Sequence, residues 1–287
     1  MTAVFKRELH GYYTGMTGYI AAAFLLVFIG LYSVTLNLTY GYPNFEYVLD
    51  SMNFVYMVLI PMLTMRLVAE ERKQRTDLLL YALPLSSTEV VIGKYLAACA
   101  VLALPLLVSG CCPLLLGRFG EVNYATAYAS LLAFFLLGCA LTAVGIFVSS
   151  LTENQAVAGI GCFLVLLVDF YASRLAGFVS SASYASFLVL MAAGLVIGLI
   201  VYLMTKNTVA ALAAALVLDG GMLACYLMNS ALFGGLMGKI LSALCVFSRM
   251  TGFIDGVFDW GAIVYFLSVA AVFLFLTVQS LEKRRWS

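Results

Sequence analysis

Long apolar runs separated by short polar stretches dominate the chain. They fall near residues 17–38, 53–69, 94–116, 125–149, 156–175, 185–204, 208–228 and 261–281. A bilayer's hydrocarbon core, about 30 Å thick, is crossed by about 20 residues of helix, so each run predicts a membrane span. Barrel strands read instead as short segments of alternating polarity. The expected fold is therefore an all-α integral membrane protein, a polytopic bundle of about eight transmembrane helices. Composition agrees: 64% of the 287 residues are hydrophobic, 10% are charged, and the mean hydropathy is +1.07. No water-soluble globular surface tolerates such a balance.

An even number of spans places both termini on one side. Sorting the cations on that basis puts Lys6, Arg7, Arg66, Arg72, Lys73, Arg75, Lys94, Lys206, Lys283, Arg284 and Arg285 on the terminal side. Only Arg118, Arg174, Lys239 and Arg249 fall opposite. The excess of Lys and Arg on cytoplasmic loops then predicts that both ends are cytoplasmic. The opening "MTAVFKRELHGYY" reads as an interfacial amphipathic helix over residues 1–14. The net charge of +1 gives no basis for a nucleic-acid partner. Seven cysteines, mostly inside apolar runs and without a CxxC pair, read as small buried hydrophobes.

Two polar segments stand out. In the first, Glu70, Glu71, Arg72, Lys73, Gln74, Arg75 and Asp77 read as one solvated helical face, with Leu78, Leu79, Leu80, Leu83 and Leu85 as an apolar ridge beside it. Pro84 ends that helix, and Ser86, Ser87 and Thr88 before Glu89 offer the oxygens that start the next. Residues 70–92 thus predict a cytoplasmic helical elbow: a basic loop that satisfies orientation, or a rigid knob that docks a soluble partner. The second segment, residues 229–260, carries Ile240, Leu244 and Phe247 at helical spacing, interrupted by Lys239, Arg249, Asp255 and Asp259. It predicts an amphipathic or re-entrant extracytoplasmic stretch.

The blocks "TMRLVAEERKQRTDLLLYALPLSSTEVVIGKYLAA", "SSLTENQAVA" and "VYFLSVAAVFLFLTVQSLEKRRWS" resemble the ABC-2 type permeases of ATP-driven transporters, in particular the gliding-motility-like branch. The resemblance covers the N-terminal helix, the first five spans and the last. It implies that Glu70 through Pro84, with Thr76, Asp77, Leu79 and Leu80 among them, form the coupling helix seated in a cleft of an ATPase subunit. It also implies a lesser cytoplasmic contact at Thr152, Glu153, Asn154 and Gln155, a second permease half, and a bacterial inner-membrane location. The chain departs from the pattern in having Arg75 where relatives commonly have Gly, and two spans beyond the six-span core.

A nucleotide site of the chain's own is not expected. The Gly93–Lys94 pair is followed by Tyr95, and Thr88 stands where a phosphate-cradling loop needs its first glycine. ATP and Mg are expected in the partner ATPase, with no cofactor, metal or catalytic residue on this chain. Asp169 and Asp219 lie within apolar runs, where a carboxylate costs roughly 2.5–3.5 kcal/mol unless paired or wet. Asp169 has Arg174 five residues on as an ion-pair partner, or the outer interface for exposure. The two carboxylates leave open a proton-coupled secondary transporter or an Asp-dependent intramembrane protease.

Overall fold

The computed structural model describes residues 1–75, 86–118, 120–178, 184, 187, 219–220, 238–239 and 243–285. Among them every regular element is helical. In order these are α1 (Thr2–Thr14), α2 (Thr17–Tyr32, continued as a wider π turn over Ser33–Thr39), α3 (Glu46–Ser51), α4 (Asn53–Thr64), α5 (Ala69–Lys73), α6 (Ser87–Ser109), α7 (Cys112–Leu116), α8 (Tyr124–Leu151), α9 (Gln155–Phe178), α10 (Thr251–Ile254) and α11 (Trp260–Arg285). Six helical stretches among the described residues are long and apolar enough to cross a membrane: Thr17–Thr39, Asn53–Lys73, Ser87–Leu116, Tyr124–Leu151, Gln155–Ala172 and Trp260–Lys283. They coincide with six of the expected spans, though the third begins earlier, at Ser87. Apart from residues 187, 219 and 220, the runs at 185–204 and 208–228 lie outside the described residues.

Local chemistry sets the starts. Ser86 Oγ accepts the Glu89 N–H at 3.3 Å while the Glu89 carboxylate accepts the Ser86 N–H at 3.2 Å, a reciprocal capping box that opens α6 as its sequence predicts. Asn123 Oδ1 accepts the Thr126 N–H to open α8, and Asn154 Oδ1 accepts the Ala156 N–H to open α9. Pro61 and Pro105 lie inside α4 and α6, which continue through them.

Two compact units divide the chain, Met1–Leu167 with Arg249–Ser287, and Val168–Ser248. In the first, α8 is the central helix, packed against α4, α6 and most extensively α11. Tyr56 of α4 stacks on Phe134 of α8, centroids 4.1 Å apart, and its hydroxyl donates to the Phe134 carbonyl. Further along, Gly145 is required by closeness: any Cβ there would collide with the side chain of buried Thr64. The windows of α8 and of α4–α5 are 67% buried, whereas those of α2 and α9 are 22% buried. All four are apolar enough to span, so the difference marks which helices are covered by protein among the described residues and which are not.

One end of this unit gathers the chain's first residue, the foot of α5, the start of α6, the end of α8 and the last turns of α11. The Met1 ammonium lies 3.9 Å from Glu89, and Ser280 Oγ of α11 donates to the Ser150 carbonyl of α8. The opposite end holds α3, α7 and α10, where Ser130 Oγ donates to the Phe253 carbonyl. Phe253 and Met250 are buried there while Thr251 and Asp255 are exposed. In the second unit Phe170 meets Phe247 edge to face at 5.3 Å.

Candidate functional site

Lys94 sits about two turns into α6, in the apolar stretch that follows its polar first turn, with 3% of its side chain exposed. A buried ammonium has three N–H donors and no acceptor, so it demands three oxygens. It finds them on three segments: the Leu67 carbonyl at 2.8 Å, Glu8 of α1 at 3.1 Å and Glu71 of α5 at 2.8 Å. Arg7 Nη2 closes the set from the other side, 2.5 Å from Glu8 and 2.7 Å from the same Glu71 oxygen. Two cations and two carboxylates alternate, so the quartet is neutral as a whole, the condition under which buried charges are tolerated.

Outside the spans the electrostatics follow from this geometry. Burial pushes the Glu8 carboxyl up, but the charge of Lys94, the hydrogen bonds from Arg7 and Lys94, and the charge of Arg7 outweigh it and hold the carboxyl below its ordinary range. Burial opposes the charge on Arg7 too, and the two glutamates overcome it, raising the guanidinium above its ordinary value. Helix α1 is further fixed by Tyr12, whose buried hydroxyl donates to the Leu63 carbonyl at 2.9 Å. Val4 packs where a Cβ on Gly93 would come within 3.0 Å, so the absence of a side chain at 93 lets α1 lie directly on α6.

The chain breaks between α4 and α5 at Met65–Val68, and the exposed backbone groups are satisfied from another helix. Val68, the residue before α5, supplies no side-chain cap. Ser149 Oγ of α8 instead accepts the Val68 and Ala69 N–H groups, at 3.4 and 3.2 Å, and donates to the Met65 carbonyl. Four residues on, the Arg72 guanidinium donates to the Ser150 carbonyl. The foot of the elbow is thereby fastened to the last turn of α8.

This differs from the solvated helical face expected of residues 70–77. Ala69 and Arg72 are 0% and 5% exposed, and Glu71 turns inward to the quartet. Solvent is left with Lys73, Gln74 and Arg75. Sequence polarity alone conceals this, because it does not reveal that α8 offers carbonyls and hydroxyls for Arg72 and the α5 backbone to use. Arg75 has φ 56, a left-handed conformation that costs a side chain and favours glycine. Thr76, Asp77, Leu79, Leu80 and Pro84 lie outside the described residues.

The other expected contact, Thr152, Glu153, Asn154 and Gln155, is a tight turn between α8 and α9. Thr152 Oγ1 accepts the Asn154 N–H, and Glu153 and Asn154 are exposed. The Arg72 guanidinium holds the Ser150 carbonyl, two residues before this turn, so the described part of the first predicted contact is fastened to the end of the helix that leads into the second. Asp169 and Asp219 both belong to the second unit. In the second unit both carboxylate oxygens of Asp169 lie 3.1 Å from the Val246 N–H, and Cys245 Sγ donates to the Asp169 carbonyl. Asp169 thus engages backbone donors; the Arg174 side chain lies outside the described residues. Asp219 is 9% exposed, and its Oδ1 has no partner among the described residues.

Arg7, Glu8, Lys94, Ser149 and Ser150 escaped the sequence reading. One signal was present: Lys94 interrupts "VVIGKYLAACAVL" as plainly as either aspartate interrupts its run, and a charge at that depth calls for a partner. No family model and no curated protein matches this chain. The class that its fold defines is an all-helical, multi-pass membrane protein.

Proposed function

We propose that this chain is the membrane-spanning permease subunit of an ATP-binding cassette transporter of the ABC-2 type, an exporter driven by ATP hydrolysis in a separate subunit. In this reading two permease halves, the second a copy of this chain or a sister permease, engage two ATPase subunits that bind ATP and Mg. The runs at 185–204 and 208–228 bring the spans to eight, and the Lys94 end faces the cytoplasm of a bacterial cell.

The observation that carries this reading is the mechanical fastening of α5. A partner that moves the segment beyond Arg75 pulls on Arg72 and Glu71, and through them on α8, α6 and α1 at once. An orientation loop requires no such attachment. Arg75 in the left-handed region adds support, since the family pattern commonly places glycine there. The positive excess at the same end agrees with a cytoplasmic face.

The test follows from which side chains are exposed. Glu71 and Arg72 are structural, so charge reversal there mixes folding with docking. Reversal at exposed Lys73 and Arg75 separates them. The tagged full chain, extracted from its native membrane, is expected to co-purify with a P-loop ATPase, and Lys73→Glu with Arg75→Glu is expected to reduce that recovery with the chain's yield unchanged. Recovery without any such ATPase, together with transport that continues in ATP-free vesicles and follows the proton gradient, refutes the proposal.

A further inference from the structure

A cleft of about 510 Å³ opens between α1, the start of α2 and the corner joining α4 to α5. This lies within the size range of small-ligand sites, roughly 300–1,000 Å³. Its walls include Arg7, Tyr12, Thr17, Arg66, Glu70 and Gln74. The Lys94 quartet closes one side and is neutral as a whole; from it the half-exposed Arg7, bound to both glutamates through Nη2, still offers its other guanidinium N–H groups, and beyond it stand the guanidinium of Arg66 and the carboxylate of Glu70. Arg66 and Glu70 stand 3.8 Å apart with exposures of 47% and 39%. That separation is too long for a hydrogen bond, and although Glu70 Oε1 accepts the Gln74 Nε2–H at 3.3 Å, its Oε2 and the Arg66 guanidinium retain capacity for a closer partner.

Position narrows the ligand. Thr17 begins the apolar run of α2, a helix of the least buried class that exposes Ile20, Val27 and Leu31. The mouth of the cleft therefore lies where a lipid's headgroup meets its chains. Tyr13 and Tyr19 pack edge to face at 5.1 Å beside it, and Tyr19 is exposed, as aromatic residues are at the interface level of membrane proteins. Charge narrows it further. Two guanidinium groups suit a phosphate. A purely anionic headgroup leaves Glu70 facing negative charge, and a quaternary ammonium brings no N–H to donate to it. A primary ammonium does.

We propose that this cleft binds the headgroup of a phospholipid bearing a primary amine, the phosphate on Arg66 and Arg7 and the ammonium on Glu70. The inference stands apart from the transport reading, because it needs no ATPase.

The full-length chain, purified in detergent and exposed to equal amounts of phosphatidylethanolamine, phosphatidylglycerol and phosphatidylcholine, is tested by native mass spectrometry for the lipids it retains. Phosphatidylethanolamine is expected to be kept over both others. Arg66→Gln is expected to lower its retention about three- to fivefold, the worth of one exposed charge contact. Glu70→Gln is expected to lower the preference for phosphatidylethanolamine over phosphatidylglycerol by a similar factor without reducing phosphatidylglycerol itself. Water-soluble glycerophosphoethanolamine is expected not to displace the lipid; displacement at equal concentration makes the ligand a free phosphoamine and overturns the lipid assignment. Equal retention of all three lipids by the unmodified chain overturns the proposal whatever the variants do, and so do variants that melt normally and keep the original preference.

Discussion

The two ends of the first unit hold their polar groups in opposite ways. At the Lys94 end, beside local contacts such as Arg7 to Glu8 and Ser86 to Glu89, a set of bonds joins residues distant in sequence: Lys94 to Glu8 spans 86 positions, Arg72 to Ser150 spans 78, and Arg7 to Glu71 spans 64. At the opposite end most are local. Asn37 Nδ2 donates to the Tyr42 and Asn44 carbonyls, Asn44 Nδ2 to Glu46, and Asn53 Nδ2 to Asp50, none more than seven positions apart. Tyr128 to Gly110, 18 positions apart, and Ser130 to Phe253, 123 apart, are long-range exceptions. Local bonds shape a loop, but only bonds between distant segments can carry displacement from one helix to another. The Lys94 end is therefore tied across its segments, while the other is shaped largely within them.

The largest expected effect comes from removing the ion at the centre. Lys94→Met leaves the Glu8 and Glu71 carboxylates short of a cation, and breaking a buried pair from one side costs about 3–5 kcal/mol. Thermal unfolding in detergent should fall accordingly, and hydrogen exchange over residues 2–14 should rise. If α1 keeps its protection, the quartet does not hold it. Adding Glu71→Gln to Lys94→Met removes one stranded charge and should recover part of the loss.

Ser149→Ala leaves the Val68 and Ala69 N–H groups without their acceptor, at about 1–3 kcal/mol. Faster exchange at those two amides, ahead of any change in α4, is the signature to look for. Acid gives a third probe. Because the folded Glu8 carboxyl lies below its ordinary 4.5, its contribution is complete above that value and is lost as pH falls through the lower folded value. Protection of α1, corrected for intrinsic exchange, should stay level from pH 8 to about 5 and decline only in stronger acid; a decline already complete near neutrality contradicts the quartet.

At the opposite end Asn44→Ala should cost about 0.5–1.5 kcal/mol, with altered exchange confined to residues 37–46. Altered exchange in α1 after that change erases the contrast between the ends. Smallest is Arg75→Gly, which keeps the left-handed backbone and removes its side-chain strain against added chain entropy, for a net change within about 1 kcal/mol. Arg75→Val, β-branched at the same φ, should be clearly worse than Arg75→Gly in the same melting experiment.

Much of the architecture was legible because lipid imposes a coarse rule. Apolar runs of spanning length mark helices wherever they occur, and six of them are helices here. The capping box at Ser86 and Glu89 was equally readable, since its partners are three residues apart. The elbow was only half readable. Its charges were visible, yet the burial of Arg72 and the inward turn of Glu71 depend on helices tens of residues away. Polarity in a sequence signals that a group needs a partner; it does not say whether water or protein provides one.

By itself, then, the sequence determined the helical class, the positions of the described spans and the local caps, because each follows from the length of an apolar run or from atoms a few residues apart. Tertiary structure alone decided that Arg7, Glu8, Glu71 and Lys94 meet, that Ser149 serves a helix on another span, and that α8 is buried while α2 is left largely uncovered by the described residues. These depend on which helices are neighbours, and a uniformly apolar surface carries little information about that. Packing fit and a few buried charges that must neutralise one another make the choice.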